Sequence, residues 1–183
     1  MLIWTILAIF IALLVGVALV FNQLVQARQM VSNGWADIAV QLKRRADLIP
    51  NIVDTVKAYA QHERQLFIDV TEKRNAALSA GDNPKARGAA EGALAQPVTR
   101  LLAVAEDYPD LKASQNFLDL QNELSETEDK IEMARRFYNG AVRQYNTKVE
   151  SVPSNLVAAP FGFKQADYFN IAEEDYAVPT VDI

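Results

Sequence analysis

The sequence predicts an all-α protein: an N-terminal transmembrane helix, a long-helix antiparallel bundle behind it, and an irregular C-terminal tail. Three observations carry that prediction. Residues 1–21 form an uncharged apolar run in which only Thr5 and Gly16 are not apolar. Beyond them, apolar residues recur at spacings of three, four and seven, as in helices that bury one face. Short turns rich in Gly, Pro, Asn and Asp separate the periodic stretches, as an up-down bundle requires. The chain accordingly divides into an anchor at 1–21, a bundle at 22–153 and a tail at 154–183.

At about 1.5 Å rise per residue the anchor spans roughly 31 Å, close to the ~30 Å hydrocarbon core of a bilayer. All 18 Lys and Arg and all 23 Asp and Glu lie after it. A secretory signal would have a basic start, a shorter apolar core and a small-residue cleavage site. Here nothing basic precedes Leu2 and Val20-Phe21-Asn22 offers no such site, so the anchor is expected to be retained. Arg28 follows the run, which by the positive-inside bias puts the N-terminus outside and the body in the cytoplasm. Ala8, Ala12 and Gly16 stand four apart, a small-residue stripe that lets membrane helices approach closely and self-associate.

The next stretch is helix-compatible, with apolar positions at Trp35, Ile38, Leu42, Ile49, Val53, Val56, Ala60, Phe67 and Val70. Pro50 lacks a backbone donor and crowds the preceding turn, and Asp47 suits a fresh helix start, so a kink or short break is expected near Ile49. Gly81-Asp82-Asn83-Pro84 is the clearest turn. A second helix is expected from about Lys85 to Glu106, weakened by Gly88, Gly92 and Pro97. After Tyr108-Pro109-Asp110 the longest helix should run from about Leu111 to Val149. There Phe117, Leu124, Ile131, Tyr138 and Tyr145 repeat every seven residues, with Leu120, Thr127, Ala134 and Ala141 beside them. That seam fits a bundle core better than a parallel dimeric coiled coil. After Pro153 the periodicity stops, and Glu173, Glu174, Asp175, Pro179 and Asp182 give the tail's end a composition unlike a core.

Composition narrows the function. A net charge of −5 argues against a general nucleic-acid binder. With no cysteine, disulfides and thiol chemistry are excluded.

One long series of residues resembles a known family. Val40-Gln41-Leu42-Lys43-Arg44-Arg45-Ala46-Asp47-Leu48-Ile49-Pro50-Asn51-Ile52-Val53 and Thr55-Val56-Lys57-Ala58-Tyr59-Ala60-Gln61-His62-Glu63 open it. Ala105-Glu106-Asp107-Tyr108-Pro109-Asp110-Leu111-Lys112-Ala113 and Phe117-Leu118-Asp119-Leu120-Gln121-Asn122-Glu123-Leu124 continue it. Ala134-Arg135-Arg136-Phe137-Tyr138-Asn139 and Tyr145-Asn146 complete it. In this order, behind one anchor, they resemble the LemA family of bacterial membrane proteins over most of residues 22–165. The resemblance implies a helical bundle behind a single span in the bacterial inner membrane, N-terminus outside. It also implies kinship with a magnetosome membrane protein. It supplies no catalytic site.

Several constellations compete with plainer readings. Lys43-Arg44-Arg45 looks like an anionic-lipid patch, but on a continuous helix Lys43 stands roughly 33 Å past the anchor, several Debye lengths away. Arg45 falls seven after Ile38 and four before Ile49, in the apolar register, so it must be paired if buried. Glu123, Glu126 or Asp54 are the carboxylates expected to pair with it. His62 is the single histidine and cannot build a usual zinc or haem site alone. The acidic run Glu123, Glu126, Glu128, Asp129 and Glu132 reads as a solvated face, since a di-iron bundle needs Glu-x-x-His pairs. Asn51, Asn122, Asn139 and Asn146, with Tyr59, Tyr138 and Tyr145, either fix helix register or line a small-molecule groove near Tyr59, Tyr138 and Asn139. No nucleophile-elbow, Walker, Rossmann or kinase signature appears.

The expectation is therefore a non-enzymatic membrane-anchored bundle without cofactor or metal. Its partners would be the lipid bilayer, further copies of itself and other membrane proteins, which it scaffolds or organises. The alternative is a ligand- or peptide-binding adaptor or sensor at the membrane.

Overall fold

The computed structural model describes residues 1–171. It contains six helices, α1 (Leu2–Lys57), α2 (Arg64–Ser79), α3 (Pro84–Glu106), α4 (Pro109–Lys112), α5 (Gln115–Glu150) and α6 (Asn155–Ala158), and no strand among the described residues. The charged tail residues from Glu173 to Asp182 lie outside that range.

α1 is the longest helix, at 56 residues, because the anchor and the first bundle helix form one continuous element. α5, expected to hold that rank, has 36 residues and starts later, since Pro109–Lys112 forms a separate turn of helix. Residues 1–19, all but the first of them in α1, are exposed. Each Leu, Ile or Phe there forgoes about 1.5–3 kcal/mol by staying in water, which a bilayer would recover. This helix is long and apolar enough to cross a membrane. Further along, Leu24, Val31, Ile38, Arg45 and Ile52 repeat every seven residues as a buried stripe.

The expected break at Pro50 is not there: α1 runs through it to Lys57. Pro50 has no N–H for the carbonyl of Ala46, four residues back. The Arg74 Nε–H on α2 donates to that carbonyl instead. The chain breaks at residues 58–63, where the Tyr59 and Ala60 amides both donate to the Val56 carbonyl, at 3.0 and 2.9 Å. The next turn ends as its sequence suggests: the Asn83 side chain accepts from the Ala86 amide at 3.0 Å, and Pro84 opens α3.

The described chain falls into two compact units. The first joins Met1–Ile38 to Met133–Tyr168. Its buried residues include Leu24, Val31 and Ile38 on α1, Tyr138, Val142 and Tyr145 on α5, and Phe163 beyond α6. Gly34 lets the two helices approach, because a Cβ there would lie 3.1–3.2 Å from the Phe137 ring and the Tyr138 backbone.

The second unit joins Ala39–Glu132 to residues 169–171. Ile49, Ile52 and Val56 of α1, Phe67 and Val70 of α2, Leu94, Val98 and Leu101 of α3, Leu111 of α4, and Phe117 and Leu124 of α5 form one core. Gly88 on α3 is the contact point for the last described segment: a Cβ there would sit 2.2 Å from the Asn170 carbonyl oxygen.

Candidate functional site

The chemically unusual place in the second unit is Arg45. Its side chain is 4% exposed and its guanidinium meets two carboxylates. One N–H group donates to both oxygens of Glu128, at 2.9 and 3.1 Å. The other donates to Glu91 Oε2. Glu91, 2% exposed, takes a second partner in Arg87, whose Nε donates to Oε1 at 2.7 Å. The result is an electrically neutral series, Arg87, Glu91, Arg45, Glu128, that ties α1, α3 and α5 together inside this unit.

Desolvation works against the Arg45 charge, but Glu128 and Glu91 outweigh it and hold the guanidinium above its ordinary range. Arginine stays protonated under all working conditions, so the series cannot relay protons. It can fix register, because taking either charge away strands its partner in a low-dielectric interior. Arg45 Nε has no acceptor among the described residues.

None of the carboxylates singled out from the sequence pairs with Arg45: Asp54 lines the cleft described below, and the other two have partners of their own. Glu123 accepts from Arg44 at 2.9 Å, with both side chains about 40% exposed. Glu126 accepts from Lys130 at 2.6 Å on the surface. The α5 partner of Arg45 is Glu128, and its buried partner is Glu91 on α3. Glu91 had a legible signal: it falls in step with Gly88, Leu94, Val98 and Leu101, on the face α3 buries. An acid in the apolar register of one helix is the natural complement of an Arg in that of another.

The groove residues belong to different units. Tyr59 is exposed in the turn after α1, in the second unit. Tyr138 belongs to the first unit, where it is 2% exposed, packs its ring against Trp35 and donates its hydroxyl to the Asp167 carbonyl at 2.7 Å. Asn139, next to it, is half-buried. Burial and the nearby Asp167 push the Tyr138 phenol up to about 12. Asn146 makes a paired contact of its own, donating to the Ala166 carbonyl and accepting from the Ala166 amide at 2.9 and 2.8 Å. Tyr138 and Asn146 therefore act as fasteners for the segment after α6.

An open cleft does exist elsewhere, between the end of α1 and α2. It has a volume of about 770 Å³, with Val53, Phe67 and Ile68 as apolar walls and Asp54, Lys57 and Arg64 among its charged residues. Spacings of three and four along α2 put Arg64, Phe67, Ile68 and Thr71 on one face, a signal overlooked because no break was expected at residues 58–63. Ala8, Ala12 and Gly16 are exposed on one side of the apolar part of α1, and a Cβ at Gly16 would meet nothing within 4 Å. Among the described residues no three or more His, Asp or Glu side chains gather as metal ligands.

These features define a class: a helical-bundle protein whose N-terminal helix is suited to crossing a membrane. The sequence model of the LemA family matches residues 34–183, and the chain belongs to that family. It is 26% identical to magnetosome protein MamQ 2 of Paramagnetospirillum magneticum, a match covering 81% of this chain and 64% of that protein. Magnetosome protein MamQ of Magnetospirillum gryphiswaldense is 24% identical over 74% of this chain and 59% of its own length. Protein LemA of Metamycoplasma hominis is 28% identical over 82% of this chain and 67% of its own. The chain thus spans somewhat under two thirds of the magnetosome relatives.

Proposed function

We propose that this chain is a non-catalytic, membrane-anchored helical bundle that self-associates through its span and scaffolds or organises membrane or partner proteins. In this reading it sits in the bacterial inner membrane with its N-terminus outside and its body in the cytoplasm. The observation that carries the reading is the apolar start of α1: wholly exposed, continuous with the helix of the body, and marked by the Ala8, Ala12 and Gly16 stripe. Relatives named as magnetosome proteins support a role tied to a cellular assembly. Crosslinking of the full chain in native membranes, followed by mass spectrometry, should yield homo-oligomers, and Gly16→Ile should reduce them. Full-length protein in mild detergent that scatters light as a monomer throughout would overturn self-association.

The cleft favours a second reading, an adaptor that takes a small ligand or peptide between α1 and α2. A ligand screen by thermal shift would then show saturable stabilisation that Arg64→Ala and Phe67→Ala abolish.

A further inference from the structure

The first unit carries an exposed apolar surface that the bundle does not use. From Ser151 to Phe163 the chain contains no charged residue and no histidine. Within that stretch Val152 is 77% exposed, Leu156 71% and Phe161 58%, although Val157, Ala158 and Phe163 beside them are buried. An apolar, charge-free projection is unusual on a water-facing surface and commonly marks a contact with something else.

Its location says what that something is. The Phe161 ring meets the Phe21 ring edge-on at 5.1 Å, and the Phe163 ring does so at 5.5 Å. Phe21 is the last residue of the apolar run, so on a span of about 31 Å it stands at the edge of the hydrocarbon. The Arg28 guanidinium lies 5.1 Å over the Phe163 ring. Seven residues beyond Phe21, Arg28 is about 10 Å further along the helix, at the level of lipid headgroups. Phe161 and Phe163, and with them the turn after α6, are thus held at the depth where a bilayer passes from acyl chain to headgroup.

It is also held firmly. The Phe163 amide donates to the Ala158 carbonyl at 3.0 Å, closing the turn after α6. The Asn146 pair with Ala166 and the Tyr138 bond to Asp167 then fasten the returning chain to α5.

We propose that residues 152–161 insert Val152, Leu156 and Phe161 into the interfacial layer of the same bilayer that α1 crosses, giving the protein a second, monotopic membrane contact. Side chains on such elements reach about 5–10 Å into the headgroup and acyl boundary. The proposal rests on reading residues 1–21 as a membrane span. The lipid surface is the favoured occupant because the exposed Phe161 ring adjoins Phe21, the end of the apolar face of α1 that lipid would cover, and no charge interrupts residues 151–163.

The chain has no cysteine, so single labels are straightforward. Leu156→Cys, Phe161→Cys, Ala8→Cys and Met133→Cys variants of the full chain would each carry an environment-sensitive fluorophore in phosphatidylcholine–phosphatidylglycerol vesicles. Quenching by headgroup nitroxide lipid, by mid-chain nitroxide lipid and by aqueous iodide is then compared. The expected result is strong loss of Leu156→Cys and Phe161→Cys fluorescence with headgroup nitroxide. Ala8→Cys should respond chiefly to mid-chain nitroxide and Met133→Cys, an exposed site on α5, chiefly to iodide. If Ala8→Cys is quenched by lipid while Leu156→Cys and Phe161→Cys behave like Met133→Cys, the insertion is wrong and the span stands. Protection of both loop labels from lipid and iodide alike would mean that a protein surface covers them, and would also overturn the proposal. Quenching of Ala8→Cys by iodide alone would remove the span and this inference with it.

Discussion

The two units bury polar groups in opposite ways. Ala39–Glu132 encloses full charges, Arg45 and Glu91, each satisfied by the other and by a second ionic partner. Met1–Ile38 with Met133–Tyr168 encloses neutral groups, the Tyr138 hydroxyl and the Asn146 amide, each satisfied by backbone. The first arrangement joins three helices and tolerates no missing member. The second joins one helix to a returning strand of chain and loses single hydrogen bonds when altered. The difference is one of stakes: stranding a buried charge costs roughly twice what stranding a buried carbonyl does.

That contrast orders the expected effects. Arg45→Ala leaves Glu91 and Glu128 short of a cation and should cost about 3–5 kcal/mol in urea unfolding of the full chain in detergent. A loss no greater than that of a surface substitution would show that the series is not energetically coupled. Tyr138→Phe keeps the packing against Trp35 but removes the buried hydroxyl's hydrogen bond to the Asp167 carbonyl, for a loss of about 0.5–1.5 kcal/mol. It should also change the pH response. The folded chain holds the Tyr138 proton from the ordinary 10.0 up to about 12. The unfolded chain releases it earlier, so this contribution is complete below pH 10 and fades as pH rises towards 12. In Tyr138→Phe that decline should be absent from a thermal melt series at alkaline pH. Lys43→Ala removes only an exposed pair with Asp47, 3.0 Å apart on one helix face, and should change stability by about 0.5 kcal/mol or less.

Much of this was legible in the residues. The seven-residue series from Phe117 to Tyr145 is buried throughout, because a sustained heptad can face only one way on a helix. Arg45 announced itself by standing in an apolar register. Its partner Glu91 carried the same signal, but Gly88, Gly92 and Pro97 lower the helix propensity of α3 and so mask the periodicity of its buried face. Pro50 misled for a physical reason. A proline's local cost depends on whether anything else donates to the freed carbonyl, and Arg74 is 28 positions away from Ala46 in sequence. The true break, at residues 58–63, contains neither Gly nor Pro. Within it Ala60 is buried in the core of the second unit, a tertiary contact that no local propensity records.

The unbroken course of α1 has a rotational consequence. With about 100° of turn per residue, the Ala8, Ala12 and Gly16 stripe and the buried stripe of Leu24, Ala27, Val31, Gly34 and Ile38 differ in azimuth by roughly 80°. A second span arriving on the small residues would therefore meet α1 from the flank of the side that α5 occupies. Because α1 is one continuous helix, the side of its apolar start that carries the small residues is fixed relative to the face it packs within the first unit.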